Sequence, residues 1–373
     1  MHVYRVSSHP AVRWWWSMDK GTLGLLIAIL FLGGAFVTTA SVGVAPRYDV
    51  EPYYFAQRQW LFLTAGLGTM LFFSLFSPKG IKWLSMLGLL VGLAALTATL
   101  IVGVDVKGAN RWISLSGLSI QPSELLKPVF IVATAMLLND QDGQKLSVGF
   151  WASALLMAII GAQLLLQPDF GMFLLFAFVW AMQVLVAGIP FIYIVLFSGL
   201  GLGAVGIGYM FLPHVQSRID RFLDPASGDT YQIDQAREAF LSGGLFGQGV
   251  GEGVVKTMIP DAHTDFIFAV IGEEFGLIAC ALLLFLYAAV IYRGMRALYK
   301  EDDKFVLLAG TGLLVLLGTQ VFINTAVALS LLPTTGMVLP FISYGGSGTL
   351  SMAMAMGFML AFLRRRNSHA KRW

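Results

Sequence analysis

Apolar runs about twenty residues long alternate with short polar stretches along most of the chain. They fall at 21–43, 58–77, 81–104, 123–139, 149–166, 170–188, 190–212, 265–292, 305–328 and 347–363. A helix needs about 20 apolar residues to cross the hydrocarbon core of a bilayer, so each run predicts a membrane-spanning helix. Only Gln167-Pro168-Asp169 separates the fifth run from the sixth, a break rather than a loop. The first run is too long for a cleavable signal, and further spans follow it. The predicted fold is all-α. It is a single polytopic domain over 1–373, with ten transmembrane helices and one large outer loop, 213–264, between spans 7 and 8.

Composition narrows the picture further. Of 373 residues, 57% are hydrophobic and 12% charged, and the mean hydropathy is +0.76. That charge share is about half that of a soluble domain. A soluble enzyme, a disordered tail and a secreted disulfide scaffold are excluded, and the single cysteine, Cys280, has no intramolecular partner. A net charge of +3 gives no nucleic-acid footprint. Ten spans put both termini on one side. Most of the 24 basic residues fall on that side, among them Arg293, Arg296, Lys300, Lys304 and Arg364 to Arg366. The positive-inside rule makes that side cytoplasmic. Segments 105–122, 213–264 and 329–346 then face outward, and any catalysis is expected there.

The outer segments hold the candidate chemistry. Residues 231–241, YQIDQAREAFL, carry a helical apolar stripe and predict an amphipathic helix, either lying on the membrane surface or packed as a loop helix on the span ends. The GGLFGQGVGEG that follows lacks a preceding strand and a Gly-Lys-Ser/Thr, so it is read as tightly turned backbone rather than a nucleotide loop. PDAHTDFIFAVIGEEFG (260–276) sets Asp261, His263, Asp265, Glu273 and Glu274 at the start of an apolar run. A charge centred in lipid costs about 2.5–3.5 kcal/mol on insertion scales, so these acids either line a wet cavity or are paired. Asp265 sits at the mouth and reads as a helix N-cap or as an acid facing a polar substrate. In QPSELLK, Pro122 and Ser123 start a helix, and Glu124 and Lys127 share one face as a structural or functional ion pair. Asp169 caps the sixth span or faces a cavity. Lys107 and Arg111 are solvated loop bases or phosphate ligands. The five histidines have no zinc-ligand spacing.

Four motifs, KGANRWISLSGLSIQPSELLKP (107–128), QPDFG (167–171), PDAHTDFIFAVIGEEFG (260–276) and LPTTGMVLPFISYGGSG (332–348), resemble the signatures of the SEDS family (shape, elongation, division and sporulation). The resemblance runs in order through roughly residues 20–365, and the last motif is closer to the division branch than to the elongation branch. It implies a peptidoglycan glycosyltransferase of the bacterial cytoplasmic membrane, with cytoplasmic termini, polymerising lipid II at the outer face during septal synthesis. The implied partners are a class B penicillin-binding protein, a transpeptidase, and other division-machinery membrane proteins. By the same resemblance Asp265 is required for polymerisation, and Glu124, Lys127 and Asp169 are important. The reaction needs a base for the acceptor hydroxyl and cations for the departing pyrophosphate. Asp265 is assigned as the base, with Lys107, Arg111 and Lys127 at the pyrophosphate. Glu124, Asp169, His263 and Ser343 complete the expected substrate site. A divalent cation (Mg or Mn) assisting the leaving group is a further expectation, without a visible ligand set. Three other readings stay open: a lipid II flippase, a polymerase of the elongation branch, and a non-catalytic scaffold that recruits the transpeptidase.

Overall fold

The computed structural model describes residues 10–106, 109–115, 118–140, 146–190, 192–193, 199, 203, 206–211, 216 and 231–364. Most of the seventh predicted span, Lys107, residues 217–230 of the large loop and the basic tail from Arg365 lie outside the described residues. The other nine apolar runs are helices: α2 (Lys20–Val44), α3 (Tyr54–Ser74), α4 (Pro78–Val102), α5 (Pro122–Leu137), α6 (Val148–Leu166), α7 (Phe170–Val186), α9 (Ile267–Leu298), α10 (Lys304–Ala328) and α11 (Gly346–Phe362). The predicted amphipathic helix is α8 (Tyr231–Gly243), and a short helix α1 (Pro10–Ser17) precedes the first span. Five of the helices are long and apolar enough to cross a membrane, and α7 and α11 are shorter apolar helices. The chain is a multi-pass membrane protein.

Local chemistry sets the helix starts. Asp19, Ser77, Ser147, Asp169 and Asp303 each accept a backbone N–H of the turn they cap, at α2, α4, α6, α7 and α10. The surface is inverted relative to a soluble protein. Leu61, Trp83, Leu90, Ile101 and Phe285 are exposed on span surfaces, while Thr134, Gln183, Gln320 and Asn324 are buried within them. In lipid such buried polar groups must bond internally. Thr134 Oγ1 donates to Gln183 Oε1 at 2.6 Å, and Gln183 Nε2 donates to the Ile131 carbonyl at 2.9 Å.

Helix α11, rich in Gly, Ala, Ser and Met, lies at the centre against α3, α5 and α10. Its small residues admit close backbone approach: a Cβ on Gly357 would stand 2.7 Å from the Met70 carbonyl oxygen of α3. Pro128 inside α5 leaves the Glu124 carbonyl without its helical N–H. Ser351 of α11 supplies the missing donor at 2.6 Å. Helix α9 packs on α2, α8 and α10, and α4 on α5.

The described part of the segment between α4 and α5 is not helical. It forms a three-stranded antiparallel meander, β1 (Val104–Val106), β2 (Ala109–Leu115) and β3 (Leu118–Ile120), with Ile113 opposite Ile120 and Val104 opposite Trp112. The predominantly helical fold thus carries a small sheet over the start of α5.

Candidate active site

Two residues in the long acidic segment turn out to have a structural task. Helix α9 is interrupted at Gly276, whose φ of 78° and ψ of 178° leave the helical region. The nine residues 267–275 are therefore a separate half-helix. The glycine-rich segment after α8 threads this break. Gln248 N–H donates to the Glu273 carbonyl and Gly249 N–H to that of Glu274, while Leu277 and Ile278 N–H donate to Gly244 and Leu245. The carboxylate of Glu273 accepts from the Val255 and Lys256 N–H groups at 2.7 Å each. Glu274 pairs with the Lys256 ammonium and accepts from Gly251 N–H at 3.1 Å. All three side chains are buried. Glycine is required here by space as well as by φ. A Cβ at Gly247 (φ 82°) would strike the Glu274 carbonyl, and one at Gly276 the Leu245 carbonyl. Of the acids in this segment, Glu274 is paired with a cation and Glu273 is satisfied by backbone N–H groups.

The half-helix begins directly after the turn Asp261–Phe266. Phe266 occupies the N-cap position and makes no side-chain cap, so Asp265 is not the cap of α9. Its side chain is half-buried at the start of the span. The turn is fixed from three directions. Asn324 of α10 donates through Nδ2 to the Asp265 carbonyl at 3.0 Å and to the Met337 carbonyl at 2.8 Å. Ser343 Oγ donates to the Thr264 carbonyl at 2.6 Å and accepts from Leu339 N–H at 2.8 Å. Tyr344 N–H donates to the His263 carbonyl at 2.8 Å, and Tyr48 Oη to Asp261 Oδ1 at 3.2 Å. The buried His263 ring lies 4.3 Å from the Phe55 ring and 5.3 Å from that of Tyr344. Burial pushes the Tyr344 phenol above its ordinary range, and a hydrogen bond with Arg58 only partly offsets this. The phenol is protonated at neutral pH. Ser343 and His263 thus shape and wall the turn that carries Asp265.

The remaining predicted residues gather at the starts of α5 and α7. Glu124 and Lys127 form a buried ion pair, as their spacing predicts. Arg111, projecting from β2, sits 3.4 Å from Asp169 Oδ1 and donates to the Gln167 and Pro168 carbonyls. Asp169 also caps α7 through Met172 N–H at 3.4 Å, so capping and an ion pair coexist. Gln121 links the two groups: its Nε2 donates to Asp169 Oδ2 at 3.4 Å and its N–H to Ser347 Oγ at 3.1 Å. Lys107 lies outside the described residues. Segment 332–348 touches every part of the site. Thr335 and Met337 face Gly171 beside Asp169, Val338 lies against Gly348 next to Glu124, and Ser343 reaches the Asp265 turn.

Removing one partner of a buried ion pair costs about 3–5 kcal/mol, because it leaves a bare charge behind. Glu124→Ala is therefore expected to lower the melting temperature strongly. The paired change Glu124→Gln with Lys127→Met is expected to restore it without restoring the polymerisation that the motifs lead one to expect. Recovery of polymerisation would limit the pair to a structural role.

Sequence reasoning missed Asn324, Gln121 and Lys256. A lone asparagine in the apolar run 305–328 is a usable signal, since polar groups within spans are costly. Lys256 gives no such signal, because its partner lies 18 residues away across two turns. Among the described residues no three His, Cys, Asp or Glu side chains converge as a metal-ligand set.

Comparison with known proteins places this geometry. The family profile described as cell cycle protein, that of FtsW, RodA and SpoVE, matches residues 21–368. The probable peptidoglycan glycosyltransferase FtsW of Caulobacter vibrioides is 40% identical over 355 residues, covering 95% of this chain and 91% of the relative. The protein of the same name from Coxiella burnetii is 35% identical, covering 92% and 96%. Among solved structures, a chain of a peptidoglycan synthase complex that coordinates polymerization and crosslinking superposes with a TM-score of 0.77. It is 29% identical, with 94% of this chain and 98% of that one covered. The rod shape determining protein RodA of Thermus thermophilus superposes with a TM-score of 0.71 at 28% identity, covering 95% and 99%. Motifs, fold and relatives agree: the chain belongs to the SEDS family of cell cycle proteins.

Proposed function

We infer that this chain is a peptidoglycan glycosyltransferase that polymerises lipid II at the outer face of the cytoplasmic membrane in septal wall synthesis. The observation that carries the reading is the Asp265 turn: a half-buried carboxylate at the start of a span, held by backbone bonds to α10 and to segment 332–348. Its relatives' names support the same reaction. Both termini are assigned to the cytoplasm by the distribution of basic residues.

In this mechanism Asp265 takes the proton of the acceptor's 4-hydroxyl as that oxygen attacks the donor's anomeric carbon. The glycosidic bond forms as the bond to the lipid pyrophosphate breaks. The leaving pyrophosphate gains negative charge, and fixed cations stabilise it. Arg111 is preorganised for that task, its guanidinium clamped by Asp169 and two carbonyls. Lys127, oriented by Glu124, is the second cation. The long polyprenyl tails stay in lipid while the headgroups react at its surface. The partner is a class B penicillin-binding protein with transpeptidase activity, a reading supported by the likeness to a synthase-complex chain.

A flippase needs intramembrane charges that form a polar path across the bilayer. Glu273 and Glu274 do not serve it, because both carboxylates hold the helix break together. Purified protein with its transpeptidase and lipid II is expected to produce glycan strands on a gel. Lipid II translocation in vesicles without any strand formation would overturn the polymerase in favour of the flippase.

A further inference from the structure

The opposite end of the molecule holds a cavity of about 710 Å³ that the polymerisation chemistry does not use. It lies between the start of α2, the last turns of α9 and the end of α11. Lys20, Arg293, Arg296 and Lys300 line it, with Asp19 as its one acid. Asp19 is already committed: its Oδ1 accepts from Arg293 at 2.6 Å, and its Oδ2 from Thr22 at 2.6 Å. Among the described residues no carboxylate pairs with Arg296 or Lys300. These two stand four residues apart, on one face of α9, and both are exposed. The cavity thus concentrates cations beyond what its own acid neutralises.

Its depth is marked by aromatic residues. Helix α1 carries Trp14, Trp15 and Trp16; Trp14 donates to Ser74 at 3.1 Å, while Trp15 and Trp16 are exposed. Tryptophan collects where the hydrocarbon meets the headgroups. Lys20 stacks 4.0 Å from the Trp16 ring, and Trp16 itself lines the cavity. The basic wall therefore sits at the level of inner-leaflet phosphates, with an apolar ring beside it for glycerol and acyl carbons.

We propose that this cavity binds the phosphate of an anionic phospholipid of the inner leaflet, through Arg296 and Lys300 with Lys20 at its rim. A soluble phosphate monoester shares the charge but lacks the apolar part.

The test is native mass spectrometry of the full chain in detergent, titrated with phosphatidylglycerol, phosphatidylcholine and glycerol 3-phosphate. Retention of phosphatidylglycerol over phosphatidylcholine is expected, and the double variant Arg296→Gln, Lys300→Gln is expected to weaken it roughly tenfold or more. Lys79→Gln with Lys82→Gln, which removes two inner-face charges elsewhere, is expected to leave it unchanged. An equal loss from the Lys79/Lys82 variant would reduce the effect to a diffuse surface field and overturn the site. So would equal binding of phosphatidylcholine. Displacement of the lipid by glycerol 3-phosphate would assign the cavity to a soluble anion instead. The comparison of the three probes on unaltered protein stands even if the double variant misfolds.

Discussion

Asp265→Asn is expected to abolish glycan polymerisation, with a rate loss of roughly 10²- to 10⁴-fold, the range of a positioned general base. The substitution keeps the size and shape of the side chain. Asparagine keeps the backbone carbonyl that accepts from Asn324, and Ser343 and Tyr344 bond to the neighbouring carbonyls rather than to this side chain. The cap of α9 is also untouched, since Phe266 holds that position. Melting temperature and copurification of the transpeptidase are therefore expected to match the unaltered protein while strand formation is lost. Strand formation at the unaltered rate removes Asp265 from the chemistry. Loss of folding together with activity makes it a structural residue.

The second large effect is expected far from any substrate, at Lys256→Ala. Glu274 then remains buried, keeping only the Gly251 N–H as a described donor, and Oε2 already has no hydrogen-bond partner among the described residues. Such an uncompensated charge costs about 3–5 kcal/mol. The expected readout is a marked fall in the thermal unfolding temperature of the detergent-solubilised protein. Pairing Lys256→Met with Glu274→Gln is expected to recover most of the loss, because no bare charge is left. If Lys256→Ala melts like the unaltered protein, the clasp around the break contributes nothing to stability.

Much of the architecture is legible in hydropathy because lipid imposes one simple rule on length and polarity. Nine of the apolar runs coincide with helices to within a few residues. Periodicity also finds α8, whose Ala236 and Ala239 are buried against the half-helix. Three features escape for definite reasons. Helix α1 is only eight residues long and lies below any span-length window. The strands of the meander have three, seven and three residues, too short for alternation to stand out. The break at Gly276 is a matter of one φ angle within a continuous apolar run, to which hydropathy is blind.

The site was legible as motifs but not as an assembly. Spacing alone pairs Glu124 with Lys127, because they are one helical turn apart. Nothing in spacing pairs Arg111 with Asp169, which are brought together only when β2 folds over the α6–α7 break. Ser343 and His263 look equally available for substrate in the sequence. In the fold, the hydroxyl of Ser343 is committed to backbone partners, and the imidazole stands in an aromatic wall.

The clasp around Gly276 and the turn before it differ in how far along the chain their bonds reach, and that fixes an order of assembly. The side-chain ties of Glu273 and Glu274 span 17, 18 and 23 residues. The turn's ties reach 59 residues to Asn324, 79 to Ser343 and 213 back to Tyr48. Short loops close first, since their entropy cost is smaller. During synthesis the half-helix is thus expected to take shape while α10 and the residues after it are still being made. The turn at its head gains its bonds from Asn324 and Ser343 only after α10 and segment 332–345 have been made, so a chain interrupted before α10 is expected to carry the clasp without the bonds that hold the Asp265 turn.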